Sequence, residues 1–135
     1  MDEADVQDKL QARVRAAVQA STLPTLPIAY IGVTFDPPND TKWLEIIEIA
    51  NNRQPFLRRG RLIAGSLRLL LHWPSDGAGA MTPMKLCTSI AAHLPKGSRF
   101  EDITITQAPV IGSPVATDRD VLYPMTMRYE YLTLQ

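Results

Sequence analysis

The sequence predicts an α+β fold: an antiparallel or mixed β-sheet with an N-terminal helix and a second helix packed mainly on one face. Three stretches carry that expectation. Residues 3–20 set Val6, Leu10, Val14, Ala17 and Val18 on one helical stripe. Arg61 to Pro74 reads as a long central strand stopped by proline; a loop hinged at Gly77 and Gly79 then leads into a helical run from Thr82, which must fold back onto the sheet. Val121 to Tyr131 alternates cleanly, with Val121, Tyr123, Met125, Met127, Tyr129 and Tyr131 on one face and Pro124, Thr126, Arg128 and Glu130 on the other. Helix, strands, helix, strands is the order of a sheet with its helices segregated to one side.

Taken in order, the first helix has Asp2, Glu3, Asp5 and Asp8 at its start and Arg13 and Arg15 later, the arrangement that suits the helix dipole. Pro24 and Pro27 end it, since each biases the preceding residue away from helical dihedrals. Ile28 to Phe35 is β-branched and aromatic and predicts a first strand, and Asp36-Pro37-Pro38-Asn39-Asp40 a rigid loop. Lys42 to Ile49 predicts a second strand with room for a bulge, because Glu45 and Glu48 would fall on opposite faces of a regular one. Residues 50–60 are polar and predict a connecting loop. Thr82-Pro83 supplies a cap and a first-turn proline for a helix with Leu86, Cys87, Ile90, Ala91 and Leu94 on its buried stripe, stopped by Pro95 and Gly97. Ile103 to Thr106 is a short strand, residues 108–117 an interrupted extended segment, and Pro124 places its end of the last strand at a sheet edge.

A chain of 135 residues can bury one core without staples, and 45% apolar with 21% charged residues is ordinary globular composition. The formal net charge is zero, so no global field draws in nucleic acid or an anionic membrane. The acidic N-terminus lacks the positive charge and apolar run of a secretory signal, and no apolar stretch reaches spanning length. Secretion and membrane insertion are therefore not expected.

Catalysis finds little footing. The single cysteine, Cys87, lies on an apolar stripe where thiols are usually inert; His93, six residues on, is on another face, and His72 belongs to a different element. No Cys/His cluster has zinc spacing. Gly77 and Gly79 lack the Lys-Ser/Thr ending of a phosphate loop. Glu101 with Asp102, and Asp118 with Asp120, read as solvated turn acids, while Met81, Met84, Met125, Met127 and the tyrosines near the C-terminus read as core or contact surface. No catalytic, cofactor or metal residue is expected. The exception to this bland surface is Arg53, Phe56, Arg58, Arg59 and Arg61, a basic stretch with an aromatic residue in it. Such a mixture is common at interfaces; it fits phosphate contact, pairing with an acidic strip of another subunit, or a solvated loop equally well.

The order of these features resembles the phage tail terminator family, also called minor tail protein U-like or tail completion proteins. The residues that carry the resemblance are the N-terminal helix, Phe35-Asp36-Pro37-Pro38 ahead of Trp43-Leu44-Glu45, Gly65 to Pro74, Gly77-Ala78-Gly79, the 82–94 helix and Tyr123 to Tyr131. The resemblance implies a single domain over residues 1–135 that acts without catalysis or cofactor. It implies a hexameric ring on the head-proximal end of the tail tube, partnered by the tail tube protein and a head-completion protein, with DNA only passing through the lumen. Its place would be the virion tail, and the host cytoplasm during assembly. Within this frame Arg53, Phe56, Arg58, Arg59 and Arg61, with the extended segment 108–119, are the expected subunit or tube contacts. The alternatives are a head-completion or neck connector, a small enzyme or ligand-binding domain using Cys87, and a host accessory domain that dimerises through an edge strand.

Overall fold

The computed structural model describes residues 3–33, 35–36, 42–57, 60–74, 81–117 and 120–134. Its elements are α1 (Glu3–Ala20), β1 (Ile28–Ala29), β2 (Trp43–Leu57), β3 (Gly60–Pro74), α2 (Met81–Ala92), β4 (Arg99–Phe100), β5 (Ile103–Ile111), β6 (Val115–Ala116) and β7 (Asp120–Leu134). The strands form one sheet in the order β1-β2-β3-β7-β5-β4, with β6 also paired to β7. Only β1 and β2 are parallel; every other pair is antiparallel, so the sheet is mixed and the α+β expectation holds.

Alternation decides which face of the sheet is covered. Leu67, Leu69, Leu71 and Trp73 of β3, Tyr123, Met125, Met127, Tyr129 and Tyr131 of β7, and Ile103 and Ile105 of β5 are buried. They meet the stripes of both helices, Val6, Leu10, Val14, Ala17 and Val18 of α1 and Leu86, Cys87 and Ile90 of α2, in one apolar core. The removal of these side chains from water drives the packing. The opposite face carries exposed Arg68 and Arg128 and no described helix.

Several elements differ from the sequence expectation. The first strand keeps only Ile28 and Ala29, because the chain turns at Ile31-Gly32, where Gly32 takes a φ of 77° that disfavours any side chain and the Val33 amide donates to the Tyr30 carbonyl. The bulge expected in β2 is present as a register shift between Ile46 and Glu48, which sets positions 45 and 48 opposite Leu70 and Arg68 of β3. Residues 50–57, expected as a loop, are instead the far half of β2, paired with β3 from Ala50↔Ser66 to Leu57↔Gly60. Polar residues suit that position because no described strand lies beyond this part of β2, and Pro55 is accommodated at a second register shift, between Arg53 and Phe56. Helix α2 begins at Met81, so Pro83 lies inside the first turn, where its missing N–H costs nothing. The glycine loop at 75–80 lies outside the described residues.

Pro124 is also not at a sheet edge: β7 lies between β3 and β5, and Pro124 pairs with Leu70. A proline is tolerated there because its carbonyl, accepting from the Gly112 amide at 2.9 Å, points toward the gap between Ile111 of β5 and Val115 of β6. The N–H and C=O of one strand residue point the same way, so the missing donor falls at that gap and not in the β3 ladder. Gly112 closes the gap tightly, since a Cβ on it would lie 3.1 Å from the Pro124 ring. Gly112→Val should therefore destabilise the fold by about 1–3 kcal/mol through overpacking. Urea unfolding with an unchanged midpoint would show that this contact carries no constraint.

Candidate interaction surface

The cysteine reading can be decided from geometry. Cys87 is fully buried in the core, and burial pushes its thiol up to about 12 from an ordinary value of 9.0. Held protonated in this way, the thiol is a poor nucleophile near neutral pH. Among the described residues no group of His, Cys, Asp and Glu is arranged to hold a metal ion.

The histidine that matters structurally is His72, through partners the sequence did not reveal. Its Nε2 lies 2.9 Å from Glu45 Oε1 of β2 and its Nδ1 2.8 Å from Asp120 Oδ2 of β7, so one imidazole ties three neighbouring strands together. The ring stacks on Trp43 at 3.7 Å between centroids and 6° between planes, and Trp43 stacks on Phe35 at 5.0 Å. Asp120, expected as a solvated turn acid, is thus committed to His72, and its Oδ1 also accepts from the Thr117 hydroxyl. Register alone brings these groups together, and no local pattern announces it. With a carboxylate against each ring nitrogen, the arrangement works as a staple across β2, β3 and β7. Next to it, where β1 turns away from β2, an open cleft of about 330 Å³ is lined by Tyr30, Ile31, Val33, Phe35, Trp43 and Ile47.

The basic stretch is gathered at the opposite end of the β2–β3 hairpin. Register sets Arg53 opposite Ile63 and Phe56 opposite Arg61, so three of the five expected contact residues lie within the last rungs of the hairpin. Arg58 and Arg59 lie outside the described residues. Across the sheet at the same end, the β4–β5 turn carries Glu101 and Asp102. Lys9 pairs with Glu101, and its ammonium is held above its ordinary value by the hydrogen bond to Glu101 and by the charges of Glu101, Asp5 and Asp102, against the opposing effect of desolvation. Each carboxylate of the turn thus has a cation beside it, Lys9 for Glu101 and, 4.0 Å from Asp102, the exposed Arg99. Arg13 is occupied elsewhere, lying 5.6 Å over the Phe100 ring and donating to Ser98 at 3.4 Å.

Two measurements follow. The native fold holds the Cys87 proton that the unfolded chain releases, so stability is intact below about pH 9 and falls as the pH rises toward about 12. Tyr123, raised by burial and then by Cys87, acts in the same direction. Cys87→Ala should flatten that alkaline slope, and a thiol probe should label the wild type only after unfolding; native labelling at an unperturbed rate would contradict the burial. His72→Ala should lower stability by about 1–3 kcal/mol by removing the ring that joins Glu45 and Asp120 across three strands, which thermal or urea denaturation would register.

No match was found among curated proteins. A solved structure, 17% identical in sequence, superposes with a TM-score of 0.74 over 100% of this chain and 98% of its own, which establishes a shared fold. The family model described as phage tail terminator protein matches residues 5–129, from the first turns of α1 to the buried Tyr129 of β7. The chain belongs to the phage tail terminator family.

Proposed function

We propose that this protein caps the head-proximal end of a phage or prophage tail tube, stops tube polymerisation by occupying the site of the next tube subunit, and presents the surface to which the head is joined. It does so as a hexameric ring, with residues 1–135 acting as a single domain and with the tail tube protein and a head-completion protein as its partners. It assembles in the host cytoplasm and ends in the virion tail, and DNA only passes through its lumen. The observation that carries this reading is the family match across nearly the whole chain.

The surface is consistent with a role that needs binding and no chemistry. The buried thiol supplies no nucleophile at neutral pH, and the His72 cluster is internally satisfied. What the molecule offers to partners is a long hairpin whose end bears Arg53, Phe56 and Arg61, with Arg58 and Arg59 between the strands in sequence. Arginine and aromatic residues supply large contact area and oriented donors, the usual makings of an interface centre.

Purified protein mixed with tubes assembled from the cognate tail tube protein should cap one end and narrow the length distribution, as seen by negative-stain imaging and sedimentation. Tubes that ignore the protein, with binding to a portal or neck component instead, would move the assignment to a head-completion connector. The double variant Arg58→Glu with Arg59→Glu should fold as the wild type does by circular dichroism yet need about tenfold or more protein to assemble. Wild-type assembly by that variant would remove the arginines from the contact.

A further inference from the structure

Three rows of paired residues run straight through the four long strands. Ile46 pairs with Leu69, Leu69 with Met125 and Met125 with Ile111; Ala50 pairs with Ser66, Ser66 with Arg128 and Arg128 with Gln107; Arg53 pairs with Ile63, Ile63 with Tyr131 and Tyr131 with Ile103. The two flanks of the sheet can therefore be compared level by level. On one flank, β1 covers only Leu44 and Glu45, and no described strand pairs with the outer side of β2 beyond them. On the other, β4 covers Ile103 and Thr104, backbone bonds from Gly97 and to Ser98 occupy Ile105, and no described strand pairs with the outer side of β5 beyond it. The open part of β2 from Ile46 and the open part of β5 up to Ile111 lie at the same height.

Direction, bulges, side chains and charge then fit one another. Each of β2, β3, β7 and β5 is antiparallel to the next, so β2 and β5 run in opposite directions, and a β5 edge laid against the β2 edge of another copy would pair antiparallel. Between the Ile46 and Ala50 rows each edge strand has one residue more than the central strands, from the shift at Ile46/Glu48 in β2 and at Gln107/Val110 in β5. Bulges protect an edge against arbitrary partners; two edges with matched bulges keep register with each other. Exposed aliphatic side chains stand at this level on both flanks, Ile47 at 40% and Val110 at 53% exposure. One row higher, the Arg53 and Arg61 end of the hairpin is level with the Glu101-Asp102 turn, which brings residues of opposite sign to the same height on the two flanks.

From this geometry we infer that the occupant of the open β2 edge is the β5 edge of a second copy of this chain, with the arginine end of the hairpin docked on the neighbour's Glu101-Asp102 turn. The contact is heterologous, and because the two edges are level it adds no displacement along the strands from one copy to the next. Repetition then closes a ring instead of climbing into a filament. The inference rests on the ring assembly proposed above and identifies the surfaces that make it.

A charge-swap mixture tests it. One variant carries Arg53→Glu and Arg61→Glu, the other Glu101→Lys and Asp102→Lys, and circular dichroism verifies that both fold. Each alone should assemble at least about tenfold more weakly than wild type, because its hairpin and its neighbour's turn then bear like charge. Mixed in equal amounts, the altered hairpin of one meets the altered turn of the other, and rings of alternating composition should return, counted by native mass spectrometry. Single variants that assemble like wild type, or a mixture that stays unassembled, overturn the inference while wild-type capping of tubes leaves the terminator function standing. A wild type that neither forms rings nor caps tubes overturns both. As a second measurement that leaves the charges intact, Ala50→Cys with Gln107→Cys in a Cys87→Ala background should form disulfide-linked multimers up to the ring number. Monomer alone after oxidation, under conditions where rings are present, overturns the edge contact.

Discussion

The pairing of β3 with β7 is the constraint on which the rest of the molecule depends. It runs without a register shift from Gly60↔Leu134 to Pro74↔Asp120, and its covered face supplies the largest buried side chains, Tyr129 and Tyr131 among them, together with Leu67, Leu69 and Leu71. A slip of one residue in either strand would turn these apolar side chains to the open face and Arg68 and Arg128 to the core, a cost far above total domain stability. The register is therefore fixed by burial. Both helices are positioned by it, since their stripes have only this face on which to leave water.

Irregularity is confined to the flanks. β2 and β5 carry all the described register shifts, together with Pro55 and Pro109, whereas β3 and β7 are continuous. Pro124 is compatible with an interior strand only because β5 ends and β6 begins beside it, leaving its nitrogen at a break in the ladder. The His72 staple joins β2, β3 and β7 at the end of the sheet opposite the hairpin tip. The central pair is continuous, whereas the flanking strands are bulged. The centre holds the shape, and the edges are left available but not indiscriminate.

Cys87 is part of the core, and His72 lies between two carboxylates, one from each neighbouring strand. The chain's membership of the phage tail terminator family is consistent with a surface that works by contact.

By itself the sequence determined α1, α2, β3 and β7, and for the two helices and β7 which residues share one face. These depend on local periodicity, and the helix ends are set by prolines and glycine acting on their immediate neighbours. It also placed Cys87 on a buried stripe and marked the arginines around Phe56 as the unusual surface. Only the tertiary structure decided that residues 50–57 are strand, that the first strand stops at Ala29, that Pro124 is interior, and that His72 binds Glu45 and Asp120. A polar segment has no preference strong enough to declare itself a strand until a neighbour offers a ladder. The partners of a histidine 27 and 48 residues away in sequence are chosen by register, which is a property of the whole sheet.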